Sequence, residues 1–293
     1  MNNNKENTVT TANVLACIDG SRSSPAVCDY AAWASMRLSA PLVFLHVLDH
    51  SQFPTQSDLS GNIGLGSREH LLQELAELDE KRGKLMREQG RLMLEAAAER
   101  AVTDGVVEPV TRQRHGDLVE TLADLQGEIR LLVMGRQGEE GDSLGQHVGS
   151  HLESVIRTLH KPILVTAGEF RQPRSVMLAF DNGPSTRKGI EMITESPLFQ
   201  GLPIHLLMVG ADTNDAWEAL NAAKARLESA GHEVIASIRA GDVEKTLLGY
   251  EEEHDIDMIV MGAYGHSRIR QFFVGSTTTS ILSSTTRPLL LLR

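Results

Sequence analysis

Two stretches of this chain have the residue types and spacing to hold a phosphorylated ligand. Near the C-terminus, Met261-Gly262-Ala263-Tyr264-Gly265 directly follows the apolar run Met258, Ile259, Val260, and after nine intervening residues comes Gly275-Ser276-Thr277-Thr278. A strand therefore runs into a glycine-punctuated loop that opens a helix. Gly262 and Gly265 leave room for backbone to approach a ligand, while Gly275, Ser276 and Thr277 place N–H groups and hydroxyls at a helix N-terminus, where phosphate binds well. An earlier copy reads Leu131-Leu132-Val133-Met134-Gly135, then Gly138, then Gly149-Ser150. One glycine of this kind is by default a tight turn; the joint placement, made twice, favours a ligand.

Other pairs recur at a similar offset, and such self-similarity marks a duplication. Asp19 closes the apolar run that ends at Ile18, as Asp181 closes the run that ends at Phe180. Gly116-Asp117 with Thr121-Leu122 matches Gly241-Asp242 with Thr246-Leu247, and Lys161-Pro162-Ile163-Leu164-Val165 matches Arg287-Pro288-Leu289-Leu290-Leu291. Asp117 and Asp242 read as helix N-caps, because Asp accepts from orphan N–H groups and complements the helix dipole. Asp181 has the same bland reading, a cap near Ser185, but its recurrence as Asp19 favours a pocket role.

The elements that must position these residues follow from pattern. Strands are expected at 13–19, 41–48, 108–114, 130–135 and 162–165, with helices at 25–38, 67–104, 117–126 and 149–159 between them. Ser23 or Ser24 would cap the first helix, and Gly105 would end the second. The second half repeats the order with a shorter second helix, its strands at 175–181, 203–209, 233–239, 257–262 and 288–292. Near-continuous hydrophobic strands separated by helices imply a parallel sheet covered on both faces, with ligands bound beyond the strand C-terminal ends at a switch point. The expected organisation is a polar tail at 1–12, α/β domains at 13–166 and 175–293, and a linker at 167–174 containing Gly168 and Pro173.

Composition narrows the partners. With 293 residues there is room for two domains, and a net charge of -11 argues against a general nucleic-acid surface. Cys17 and Cys28 fit neither a disulfide framework nor a zinc site, and Cys17 reads as core. The eleven histidines form no HExxH or other metal pattern, so no metal is assigned. No apolar leader and no segment long enough to span a bilayer is read, so no membrane insertion and a cytoplasmic location are expected. There is no GxxxxGK[ST] loop and no Ser/His/Asp set, so no catalytic residue is assigned. The charged run at 69–100 reads as a helix with a solvated face, long enough to offer a surface to a partner.

An Asp after the first strand, GxxG after the fourth and Gly-Ser about nine residues later resemble the universal stress protein family, over nearly all of the chain beyond its tail. Tandem members hold two such domains. The resemblance implies the adenine nucleotide alpha hydrolase-like fold, five strands in each half, and an ATP site in which the first-strand Asp contacts adenosine and the glycine loop holds phosphates. Carried over by position, the second half offers Ala179, Phe180, Asp181, Val209, Met261, Gly262, Gly265, Arg268, Gly275, Ser276, Thr277 and Thr278. The first offers Asp19, Val47, Met134, Gly135, Gly138, Gly149 and Ser150. The implied function is a cytoplasmic ATP-binding stress-response protein acting as a nucleotide-dependent regulator or sensor; a slow ATP hydrolase, and a scaffold with vestigial sites or an apolar ligand, stay open. The family also implies that the last strands, at 163–165 and 289–292, pair the two halves, with a homodimer and an unidentified protein partner as further associations.

The halves differ. Ten residues, 139–148, separate Gly138 from Gly149, and Glu139, Glu140 and Asp142 stand where the second half has His266, Arg268 and Arg270. Carboxylates repel a triphosphate unless Mg²⁺ bridges them or they turn outward, whereas Arg pairs with phosphate, so the second site is expected to be the better one.

Overall fold

The computed structural model describes residues 12–48, 65–138, 149–263 and 276–292. In the first half the chain runs β1 (Asn13–Cys17), α1 (Ser24–Leu38), β2 (Leu42–Leu48), α2 (Leu65–Thr103), β3 (Val110–His115), α3 (Leu118–Asp124), β4 (Ile129–Gly135), α4 (Ser150–Thr158) and β5 (Ile163–Thr166). The second half runs β6 (Val176–Ala179), α5 (Pro184–Glu195), β7 (Ile204–Val209), α6 (Asn214–Ser229), β8 (Val234–Arg239), α7 (Val243–Glu253), β9 (Met258–Gly262), α8 (Ser276–Ser284) and β10 (Leu289–Leu292).

Alternation along each strand divides the core into two layers. Val14, Ala16, Leu131 and Val133 join Ala31 and Trp33 of α1 on one face. Leu15, Leu132 and Met134 join Leu152 and Ile156 of α4 on the other. Strands covered on both faces need apolar residues in both registers, which is why these runs are continuous rather than alternating.

All ten strands form one sheet, in the order β3-β2-β1-β4-β5-β10-β9-β6-β7-β8. Within each half every neighbour is parallel. The halves meet at an antiparallel pair, Leu289 opposite Val165, Leu290 opposite Leu164 and Leu291 opposite Ile163. The strand ends carrying Asp19 and Gly135 therefore lie on the opposite side of the sheet from those carrying Asp181 and Gly262.

Helix ends follow local chemistry. Asp117 accepts from the Glu120 N–H at 2.8 Å and Asp242 from the Lys245 N–H at 3.1 Å, so both are caps as expected. Gly105, at φ 101°, ends α2. Ser23 holds the N-cap position of α1 but makes no side-chain cap hydrogen bond; its hydroxyl is used elsewhere. The 39 residues of α2 would measure about 58 Å end to end. Among the described residues its C-terminal part beds on β2, β3 and α1, with Gly90, Leu94, Ala97 and Ala101 buried.

Residues 167–174 are held against both halves. Phe170 meets Tyr30 edge-on with ring centroids 4.8 Å apart. The Arg174 N–H donates to Asp257 Oδ2 at 2.9 Å. Arg171 Nε stands 3.0 Å from Asp257 Oδ1, paired in charge though not aligned as a hydrogen bond.

Candidate functional site

In each half one crossover leaves the first strand in one direction while the fourth strand's crossover goes the other way, so the strand order reverses between them. β1 and β4 are neighbours, Ala16 beside Val133, and β6 and β9 are neighbours, Leu178 beside Val260. A crevice opens at such a point because the loops diverge.

The first half assembles its loop around Asp19. Asp19 Oδ1 accepts the Ser21 N–H at 3.0 Å and the Ser24 hydroxyl at 3.2 Å. The Ser23 hydroxyl donates to the Gln137 carbonyl at 3.0 Å, tying the start of α1 to the GxxG loop. A side chain would clash at the first glycine of that loop and crowd the aspartate at the second. A Cβ on Gly135 would lie 2.4 Å from Ser23 Oγ, and one on Gly138 would lie 3.1 Å from Asp19 Oδ2. The Gly149 N–H donates to the Arg136 carbonyl at 3.2 Å, closing the loop just before α4. Asp19, Gly135, Gly138 and Gly149 are thus brought together, with Ser150 the first residue of α4. Met134 is buried and Val47 half-buried against the same core layer.

The second half repeats the aspartate's geometry. Asp181 Oδ1 accepts the Gly183 N–H at 2.9 Å and the Thr186 hydroxyl at 2.7 Å. These are again the N–H two residues on and the hydroxyl five residues on. Gly262 ends β9 against α5, where a Cβ would come 3.1 Å from Ser185 Cβ. Ala179 and Val209 are half-buried and Met261 is buried, all on one core layer. Phe180 is 4% exposed and packs into the opposite layer, so only its backbone faces the strand end. Ser276 is exposed and Thr277 half-buried at the start of α8, whereas Thr278 is buried and donates to the Ala263 carbonyl at 3.3 Å. Gly265, Arg268 and Gly275, like Glu139, Glu140, Asp142, His266 and Arg270, lie outside the described residues.

Three contributors were not anticipated. Ser24 and Thr186 complete the aspartate turns, and an Asp followed five residues later by a hydroxyl in both halves is the signal that would have found them. Arg136, directly after Gly135, reaches into the other half. Its Nη1 lies 2.8 Å from the Thr285 carbonyl, 3.2 Å from Leu282 O and 3.4 Å from Ser283 O, at the C-terminal end of α8. Burial pulls its pKa below the usual guanidinium value, and the carbonyls there favour the charge. The matching position after Gly262 is Ala263, so this reach has no counterpart.

Chemistry that needs a reactive thiol finds no support at Cys17, which abuts the site. Burial, then the nearby Asp19 charge, push its pKa up to about 12, and a protonated thiol is a poor nucleophile. Among the described residues no group of three or more His, Cys, Asp or Glu could hold a metal ion, and no helix is long and apolar enough to cross a membrane.

Two parallel α/β halves, each with an aspartate turn and a glycine-ended strand at its switch point, define a duplicated doubly wound protein. The universal stress protein family model matches residues 10–167 and again residues 173–293. A universal stress protein from Synechocystis sp. is 34% identical over 285 residues, covering 96% of this chain and 99% of that one. Among solved structures, a universal stress protein from Archaeoglobus fulgidus aligns with a TM-score of 0.66 at 19% identity, covering 96% of each chain. A putative universal stress protein from Pseudomonas aeruginosa aligns at 0.62 and 14% identity, covering 96% of this chain and 93% of that one. The chain belongs to the universal stress protein family.

Proposed function

We propose that the chain binds an adenine nucleotide, ATP, at its switch points and acts in the cytoplasm as a nucleotide-dependent regulator or sensor of stress, the second half being the stronger site. The observation that carries this reading is the aspartate turn, built with the same two hydrogen bonds in both halves and set beside a glycine-ended strand. A carboxylate so held is an acceptor for ribose hydroxyls or the adenine amino group, with Val209 and Met261 as apolar neighbours for the base. Gly135 and Gly138 let the loop backbone lie close against Ser23 and Asp19, where a Cβ would crowd those side chains, and backbone so placed offers its N–H groups to a phosphate. The start of α8, with Ser276 and Thr277, offers N–H groups and hydroxyls to phosphate oxygens, and α4 offers its N-terminus likewise. The preference for the second half rests on charge: Arg268 stands in its loop where the first half has Glu139, Glu140 and Asp142. Mg²⁺ would chiefly help the acidic first loop, by bridging it to phosphate oxygens.

Regulation follows if nucleotide binds one arrangement of the loop better than another, so that occupancy changes the surface shown to a partner. Isothermal titration with ATP, with and without Mg²⁺, tests the reading. Asp181→Ala should weaken the tighter phase about tenfold or more and Asp19→Ala the weaker one, since an acceptor bond to a charged group is worth roughly 1.5–3 kcal/mol. Protein that ignores millimolar ATP would overturn it. Single-turnover incubation with labelled ATP separates regulator from hydrolase, because steady product formation abolished by Asp181→Ala would make it an enzyme.

A further inference from the structure

Where the two halves meet, a cavity of about 250 Å³ opens on the core layer that holds α1 and α5. Its floor is apolar: Leu131 of β4, Leu290 of β10 and Leu198, just after α5, are each no more than 3% exposed. Met192 of α5 lines it from above. Arg130 and Glu195, both exposed, line it too, one from each half. Arg130 Nη1 donates to the Leu38 carbonyl at 3.0 Å, and Leu38 is itself part of the lining, so the guanidinium is held beside the opening. Among the described residues its other nitrogens have no partner, the Glu195 carboxylate has none, and the two do not pair with each other. No residue of either aspartate turn lines this cavity, so it stands apart from the switch points.

The duplication supplies a template for what belongs there. Counting on from Asp19 and Asp181, Met192 corresponds to Tyr30; counting back from Gly135 and Gly262, Arg130 corresponds to Asp257. At that second place residues 167–174 are laid in. Phe170 packs edge-on against Tyr30, with centroids 4.8 Å apart, and Arg171 Nε stands 3.0 Å from Asp257 Oδ1. An apolar group and a charge opposite to that of the strand residue therefore fill it. The linker crosses once, and among the described residues nothing does the same beside Met192 and Arg130. With an arginine in the aspartate's place, the complement is an apolar group carrying a carboxylate. Glu195, which stands where the first half has Trp33, would repel a plain anion and favours a cation next to that carboxylate. We propose that this cavity binds a free α-amino acid with an aliphatic side chain, its carboxylate on Arg130, its ammonium on Glu195 and its side chain over Leu131, Leu198 and Leu290. A cavity of roughly 150 Å³ already admits benzene, so the space suits a side chain of this size and excludes a long acyl chain. Because both halves supply the lining, occupancy also braces their junction.

Isothermal titration of the full chain with L-leucine tests the site. One equivalent should bind with a dissociation constant of about 0.1 mM, ordinary for a ligand of about nine non-hydrogen atoms. Isocaproate, which lacks the ammonium, and isoamylamine, which lacks the carboxylate, should each bind about tenfold or more weakly. Arg130→Gln should weaken leucine about tenfold, and Arg130→Lys less, because the charge remains. Glu195→Gln should erase the preference for leucine over isocaproate and leave the thermal midpoint of the free protein unchanged, since its carboxylate has no partner to lose. The place is read from protein isotopically labelled at its methionine methyls: leucine should shift the Met192 signal, assigned by its loss in Met192→Leu. No binding at about a hundred times that concentration, isocaproate binding as tightly as leucine, a leucine affinity indifferent to both Arg130→Gln and Glu195→Gln, or an unmoved Met192 signal would each overturn the proposal.

Discussion

Asp19 and Asp181 do two things with one carboxylate: each closes a turn and presents an oxygen-rich edge at a strand end. The roles separate by substitution. Thr186→Val removes one donor to Asp181 and should lower stability by about 1 kcal/mol, read as a shift in the urea midpoint, while weakening nucleotide binding several-fold. Asp181→Asn keeps an oxygen for the turn but removes the charge, and should leave the midpoint close to wild type. A different titration belongs to His205. Its Nδ1 lies 3.0 Å from Tyr250 Oη and its ring 5.3 Å from that of His254; burial first, then His254, lower its pKa, while Glu233 opposes them. The unfolded imidazole takes up a proton near about pH 6.5 and the folded one only at lower pH, so this residue's contribution is lost as pH falls below that value. His205→Gln should therefore flatten the decline in urea midpoint between about pH 7 and pH 5 relative to wild type. The aspartates and glycines were legible because their spacing is repeated. Ser23 was read as a cap, yet its hydroxyl donates to Gln137, 114 residues away, a partner that no local pattern reveals.

At the scale of elements, α8 is held at both ends. Thr278 ties its start to Ala263, and Arg136 gathers the carbonyls of its last turn. Arg136→Ala should cost about 2 kcal/mol and speed amide exchange in that turn, whereas Arg136→Lys, a point charge without the planar fork, should recover only part of the loss. The bedding of α2 is equally specific. A Cβ on Gly90 would fall 2.1 Å from Gln113 Nε2 and 2.5 Å from the His46 ring, so Gly90→Leu should lift the helix and cost about 1–3 kcal/mol by denaturant midpoint. The central strands were legible as continuous apolar runs ended by Gly, Asp or a turn, whereas the edge strand β3, VTRQRH, is polar and mostly exposed. The division of α2 into a bedded and a projecting part was not, because apolar residues occur along both and only the position of the sheet decides which are covered.

For the whole molecule, Leu164 and Leu290 stand opposite each other at the antiparallel junction, and both are fully buried. A charge there has nowhere to go: Leu290→Asp should cost more than about 3 kcal/mol and destabilise both halves, visible as loss of the thermal transition of each. Asp257, buried beside Arg171 and Arg174, adds a second fastening, and Asp257→Ala should cost about 1–2 kcal/mol by taking the acceptor from the Arg174 N–H, while Asp255 keeps both arginines partnered. The two parallel half-sheets could be read from the chain alone, since continuous apolar runs demand cover on both faces. Their union was expected only through the family resemblance, which pairs the last strands; the residues alone do not show it, because Ile163, Leu164 and Val165 have the composition of any central strand and their partner lies more than a hundred residues away.

Because both halves belong to one polypeptide, a substitution appears on one side of the junction only, whereas in a homodimer it would appear on both. Arg136 facing α8, with Ala263 at the matching position, is a product of that freedom. The consequence is thermodynamic. Any free energy by which closure of the first loop alters the foot of α8 is the same free energy by which occupancy at the head of α8 alters the first loop. Whatever factor a ligand at one strand end applied to affinity at the other would be returned unchanged, and Arg136→Ala should diminish both alike.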